Sequence, residues 1–128
     1  MDKPKIKNVK SPSQIKKIAV RMPKYMRDEI SKKMVDEGYN FRQKSKWVSE
    51  AVEYMISRPD WEGALMSQSN VDSEIQDVVT FPIELYEMVN QEVRRLISSK
   101  PFLNPSQSAI IRTAIQRRCM GIHLLGNK

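Results

Sequence analysis

Two short segments of this chain carry side chains suited by type and spacing to hydrogen bonding with nucleic-acid bases: Lys17-Ile-Ala-Val-Arg21 and Gln76-Asp-Val-Val-Thr80. Alternate side chains of an extended strand share a face, so Lys17, Ala19 and Arg21 line one side of the first segment and Gln76, Val78 and Thr80 one side of the second. Arginine donates a bidentate pair to guanine, glutamine pairs with adenine, and threonine or alanine fits against a thymine methyl; each good bidentate pair discriminates by about 1–3 kcal/mol. Val78 is explained equally well as β-propensity filler.

Little else in the chain suggests chemistry. It has one cysteine (Cys119), one histidine (His123) and four glycines, with no GxGxxG or Walker-type phosphate loop and no nucleophile–base constellation. We therefore expect no catalytic residue, no metal and no cofactor, with Cys119 packed as a small core residue near a helix end and His123 in a tail. A lone cysteine forms no internal disulfide, which points to the cytoplasm. No apolar run reaches the ~18 residues of a membrane span, and the basic N-terminus lacks the apolar stretch of a secretory signal.

The net charge of +7 is unevenly placed. Residues 1–24 hold eight bases and one acid, which accounts for the whole excess. Residues 59–93 hold eight acids and no base, and residues 94–128 seven bases and no acid. Such segregation predicts a polyanion partner for particular surfaces.

The elements that would carry these residues occur twice. Ile18, Val20 and Met22 alternate with Lys17, Ala19 and Arg21 up to Pro23, a strand pattern closed by a residue suited to a helix's first turn. Met26, Ile30 and Met34 then recur every fourth residue from Lys24 to Glu37, with Gly38 as a stop. After a polar loop, Tyr39 to Lys44, a second helix carries Trp47, Val48, Ala51, Val52, Met55 and Ile56 until Arg58-Pro59. Shifted by 59 residues, Val79, Phe81 and Pro82 repeat the strand, and Leu85, Val89 and Val93 the first helix, running to about Ile97. Shifted by 63, Ile110, Ile111, Ala114, Ile115 and Cys119 repeat the second helix. The start of that last helix lies between two caps, Asn104 with Pro105 following and Ser106. Repetition over three elements outweighs a single-unit reading. Asp77, standing where Ile18 stands in the first copy, is expected near the strand end within reach of water.

One short strand per unit needs a partner for its backbone N–H and C=O groups, so the two are predicted to pair as an antiparallel ribbon over four helices. The fold class is mainly α with a two-stranded β-ribbon, built from two units as an intrachain pseudo-dimer. The predicted divisions are a basic arm (1–14), unit one (15–57), a connector (58–74), unit two (75–122) and a tail (123–128). Trp61, Leu65 and Met66 in the connector are expected to cover the core. A helix-turn-helix built on the Gly38 and Ser98-to-Pro105 turns competes, and leaves the two strand-proline segments unexplained.

Strand, proline, helix, loop and a second helix opening with a polar cluster, as in Ser45-Lys-Trp-Val-Ser-Glu-Ala51 and Ser108-Ala-Ile-Ile-Arg-Thr-Ala114, resembles the ribbon-helix-helix family of DNA-binding proteins, the Arc/MetJ superfamily. Two units in one chain, and the Arg58-Pro-Asp-Trp61 motif, are similar to its TraY branch of relaxosome accessory proteins from conjugative plasmids. The resemblance implies that the ribbon enters the major groove of double-stranded DNA and that the second helix of each unit abuts a phosphate, which maps to Ser45 and Lys46 and to Ser106 and Ser108. The serines equally suit plain N-capping. Unlike triads on the two strands imply a non-palindromic or direct-repeat site, and two cations on the first strand imply one electrostatically anchored half-site. The arm lysines Lys3, Lys5, Lys7 and Lys10 would add salt-sensitive, sequence-blind affinity. Arg112, Arg117, Arg118 and Lys128 have three candidate destinations: flanking DNA, pairing with the acids of 59–93, or a helix C-terminus.

The function this implies is placing a relaxase at a transfer origin, with autoregulation, as a monomeric pseudo-dimer in solution that also binds as further copies side by side on DNA. The acidic patch or the late basic helix would contact the relaxase or a coupling protein. A phage or plasmid transcriptional repressor of the same fold is the alternative. An antitoxin ranks lower, because such proteins append a long toxin-wrapping tail and only Gly121 to Lys128 remains here.

Overall fold

The structure is a computed structural model describing residues 14–65 and 74–121. The arm lysines Lys3, Lys5, Lys7 and Lys10, together with Met66, His123 and Lys128, lie outside the described residues. The elements are β1 (Ile15–Pro23), α1 (Lys24–Asp36), α2 (Lys44–Ile56), β2 (Glu74–Pro82), α3 (Ile83–Ser99) and α4 (Gln107–Cys119). Helix dominates, and β1 and β2 form one antiparallel sheet. The pairing runs from Ile15 opposite Pro82 to Pro23 opposite Glu74, which removes the helix-turn-helix alternative.

Alternation in the strands separates core from surface. Ile18, Val20 and Met22 of β1 and Val79 and Phe81 of β2 are buried. Pro23 and Pro82 close the strands as the N-cap residues of α1 and α3, one position ahead of the first turn where the sequence pattern put them. Their ring-fixed φ of −64° and −55° suits strand end and helix entry alike.

Below the ribbon, α1 buries Met26, Ile30 and Met34, and α2 buries Trp47, Val48, Ala51, Val52 and Met55. From the second copy come Leu85, Val89 and Leu96 of α3 and Ile110, Ile111, Ala114 and Ile115 of α4. Val93, Ile56 and Cys119 are only partly buried against this core, and burial pushes the Cys119 thiol up to about 11. The four residues added in the second copy appear as one extra turn, α3 having 17 residues against 13 in α1. Gly38 ends α1 in the left-handed region at φ +85°, where a Cβ would be strained.

Trp61 is buried and Leu65 packs on the core, as cover was expected to do. The Trp61 indole N–H donates to Glu92 at 3.2 Å. Glu62 pairs with Lys100 at 3.1 Å and Arg95 at 3.4 Å, and the Lys100 hydrogen bond holds its carboxyl below the usual range. The connector is thereby pinned to α3.

Asp77 does not lie at a water-exposed strand end. It stands fourth in β2, opposite Val20, with a side chain only 14% exposed. Lys44 Nζ donates to both its carboxylate oxygens, at 2.7 and 2.6 Å. A specific cation from α2 satisfies the charge, where the sequence pattern had assigned that task to water.

Candidate nucleic-acid interface

The ribbon face turned away from the helices carries the six side chains singled out above. Lys17, Ala19, Arg21, Gln76 and Val78 are exposed, and Thr80 is partly so. The register sets them in three cross-strand pairs: Lys17 with Thr80, Ala19 with Val78, and Arg21 with Gln76. Both cations come from β1, but one stands at each end of the face, because antiparallel pairing places the start of β1 beside the end of β2.

Both outer edges of the ribbon are stitched to the second helices. Ser45 Oγ, in the first turn of α2, accepts the Thr80 backbone N–H at 2.9 Å. Ser108 Oγ, in the first turn of α4, accepts that of Arg21 at 3.4 Å. Serine in a first helical turn is short enough to reach an adjacent strand edge while its own backbone stays helical. The N-termini of α2 and α4 are thus anchored beside opposite strands of the ribbon, each bringing the partial positive charge of a helix start to a strand edge. Lys46 is exposed in the first turn of α2.

Of the four residues mapped to phosphate contact, the structure gives three serines other tasks. Ser45 and Ser108 hold strand N–H groups, and Ser106 is the N-cap of α4, its Oγ accepting from Ala109 N at 3.0 Å. Of the two candidate caps the structure selects Ser106, while Asn104 takes the left-handed conformation at φ 55°. Helix α2 begins at Lys44, a residue before the expected start, because a 3-10 turn at Phe41–Gln43 with an Asn40 capping box leads straight into it. Replacing Ser45 by alanine is expected to cost about 1 kcal/mol, since a strand N–H loses its acceptor. Ser108→Ala, with the longer contact, should cost less; urea unfolding of each variant measures both.

The late bases divide. Arg112 is buried in α4 and its Nη1 donates to the Arg21 carbonyl at 2.7 Å, a second tie at the same residue of β1. Arg118 is also buried, 5% exposed, and its partners are not the acids of 59–93. Its Nη2 meets Glu37 at 2.7 Å and its Nη1 meets Glu50 at 3.3 Å. Nη1 also donates to the Trp47 carbonyl at 2.9 Å and Nη2 to the Tyr39 hydroxyl at 3.2 Å, and the guanidinium lies 4.6 Å from the Trp47 ring centroid. Burial alone would lower its pKa; hydrogen bonds to Tyr39 and Glu37 outweigh that and raise it. Tyr39 in turn donates to Glu50, and that bond, with burial, pushes its phenol up. Arg117 is partly buried in the last turn of α4. Arg112 and Arg118 therefore serve the fold.

Sequence reasoning missed Lys44, and it missed the tie from Arg112 to the Arg21 carbonyl. The only trace of either was a mismatch in the repeat: Lys44 and Asp77 replace Gln107 and Ile18, and Arg112 replaces Ser49. Comparison with protein-family models, curated proteins and solved structures finds no match to this chain.

Proposed function

We propose that this protein binds double-stranded DNA sequence-specifically, inserting the β1–β2 ribbon into the major groove as a tandem ribbon-helix-helix pseudo-dimer. The observation that carries the reading is one exposed face bearing Lys17, Arg21, Gln76 and Thr80, flanked on both edges by the anchored N-termini of α2 and α4. A two-stranded ribbon fits the major groove, and helix N-termini suit the phosphates on either side. The pseudo-dimer is supported by the register. The 59-residue repeat maps Ala19 onto Val78, and these two face each other, as an approximate twofold axis through that pair requires.

The two unlike triads favour a non-palindromic site, because a symmetric operator mirrors a symmetric dimer. Single-chain tandem units resemble the TraY branch, so the role proposed is that of an accessory factor positioning a relaxase at a plasmid transfer origin by occupying the DNA.

A mobility-shift titration over a salt series tests the reading. The full chain is expected to select particular duplexes from a randomised pool. Deleting residues 1–14 should weaken binding to all duplexes alike and reduce the log K against log salt slope by up to about 3–4, if the four arm lysines each engage a phosphate. Absence of binding to any duplex at low salt would sink the reading.

A further inference from the structure

We infer that the centre of the bound site is read through thymine methyl groups by Ala19 and Val78, with hydrogen-bond readout confined to the two ends; this rests on the DNA-binding reading above. The register puts these two apolar residues directly across from each other, flanked by the polar pairs Lys17–Thr80 and Arg21–Gln76. Val78 is 53% exposed, so its methyls face outward, away from the core. β-propensity does not account for the pair. Alanine is a poor strand former, and threonine would suit an exposed strand position as well as valine. A small residue facing a branched one leaves room for the groove floor to approach and presents a hydrocarbon surface to it. Among the base edges in the major groove, only the thymine C5-methyl is apolar.

Spacing adds a second constraint. Alternate residues of a strand lie ~6.6–6.8 Å apart, about two base-pair rises of ~3.4 Å. The polar pairs therefore fall roughly two base pairs to either side of the methyl-reading centre. They differ in donor type, arginine with glutamine at one end and lysine with threonine at the other. The site then has an A·T-rich middle and unlike ends, with guanine or adenine favoured where Arg21 and Gln76 reach.

The test uses duplexes that the full chain selects from a randomised pool, with each thymine replaced singly by deoxyuridine, which removes the methyl and leaves the hydrogen-bond pattern intact. Central replacements are expected to weaken binding about fourfold each, as for one buried methyl-sized group, and replacements elsewhere by less than twofold. Val78→Ala should bring the thymine and uracil duplexes closer together at the position it faces, with urea unfolding confirming an intact fold. A flat uracil scan across a duplex that still binds selectively overturns the methyl readout and leaves DNA binding standing. Failure to select any duplex overturns both.

Discussion

Replacing Arg118 by alanine is expected to lower the unfolding free energy by about 3 kcal/mol, because it takes a buried cation away from the partly buried carboxylates it neutralises. The guanidinium bridges four groups from the first half of the chain: Glu37 after α1, Tyr39 in the loop, and Trp47 and Glu50 in α2. Without it the Glu37 carboxylate, 17% exposed, keeps, among the described residues, the Trp47 indole N–H at 3.0 Å. The repeat suggests a compensating change. The residue equivalent to Arg118 in the first unit is Met55, and that equivalent to Glu37 in the second unit is Leu96, both buried. Hydrocarbon thus stands at the repeat positions that Arg118 and Glu37 fill with charge. Arg118→Met combined with Glu37→Gln removes both charges while the glutamine carbonyl still accepts from Trp47. This double variant should recover at least half of the loss seen in Arg118→Ala, as replacement of buried ion pairs by apolar groups often does. Urea midpoints at constant m-value decide it; a double variant no more stable than the single would show that the hydrogen bonds, rather than the stranded charge, carry the energy.

If the protein binds DNA as proposed, Arg21→Ala is expected to reduce the preference for a selected duplex over a scrambled one by about 1–3 kcal/mol, roughly 5- to 150-fold, while affinity for scrambled DNA changes far less. The substitution is a clean probe because α4 holds Arg21 through its backbone: Ser108 takes its N–H and Arg112 its carbonyl. The strand edge therefore stays tied when the side chain is removed. Competition binding at fixed salt measures the ratio. A uniform loss on all duplexes would assign Arg21 to phosphate contact and move base readout to Lys17 and Gln76.

The fold was legible in the sequence wherever it depends on near neighbours in the chain. Alternation over Lys17 to Met22, the four-residue recurrence of Met26, Ile30 and Met34, and the two prolines are local signals, and the 59-residue shift turned them into a pairing scheme. That scheme located the six residues of the ribbon face, five of them exposed and Thr80 partly so. Polar contacts between distant segments were not legible. Arg118 meets Glu37 across 81 residues and Lys44 meets Asp77 across 33. The acids at 59–93 were one of three destinations open for Arg118, and of these the helix C-terminus is where it sits, in the last turn of α4; its partners there are set by how α4 crosses α2, which no periodicity encodes. Serine likewise has the same preferences whether it caps its own helix or reaches a strand edge, so Ser106 could be separated from Ser45 and Ser108 only by packing.

The ties between ribbon and helices cross over. Ser45 of the first half secures β2, while Ser108, Arg112 and Arg118 of the second half secure β1, Glu37 and α2. Neither half completes its own strand edge, and Glu37 and Asp77 each pair with a cation from the other half. Each half is therefore expected to need the other to fold, and the connector, besides covering the core through Trp61 and Leu65, keeps the two at high effective concentration. Cutting that connector would leave the contacts described here intact but make the protein's stability depend on its concentration, as for an obligate dimer.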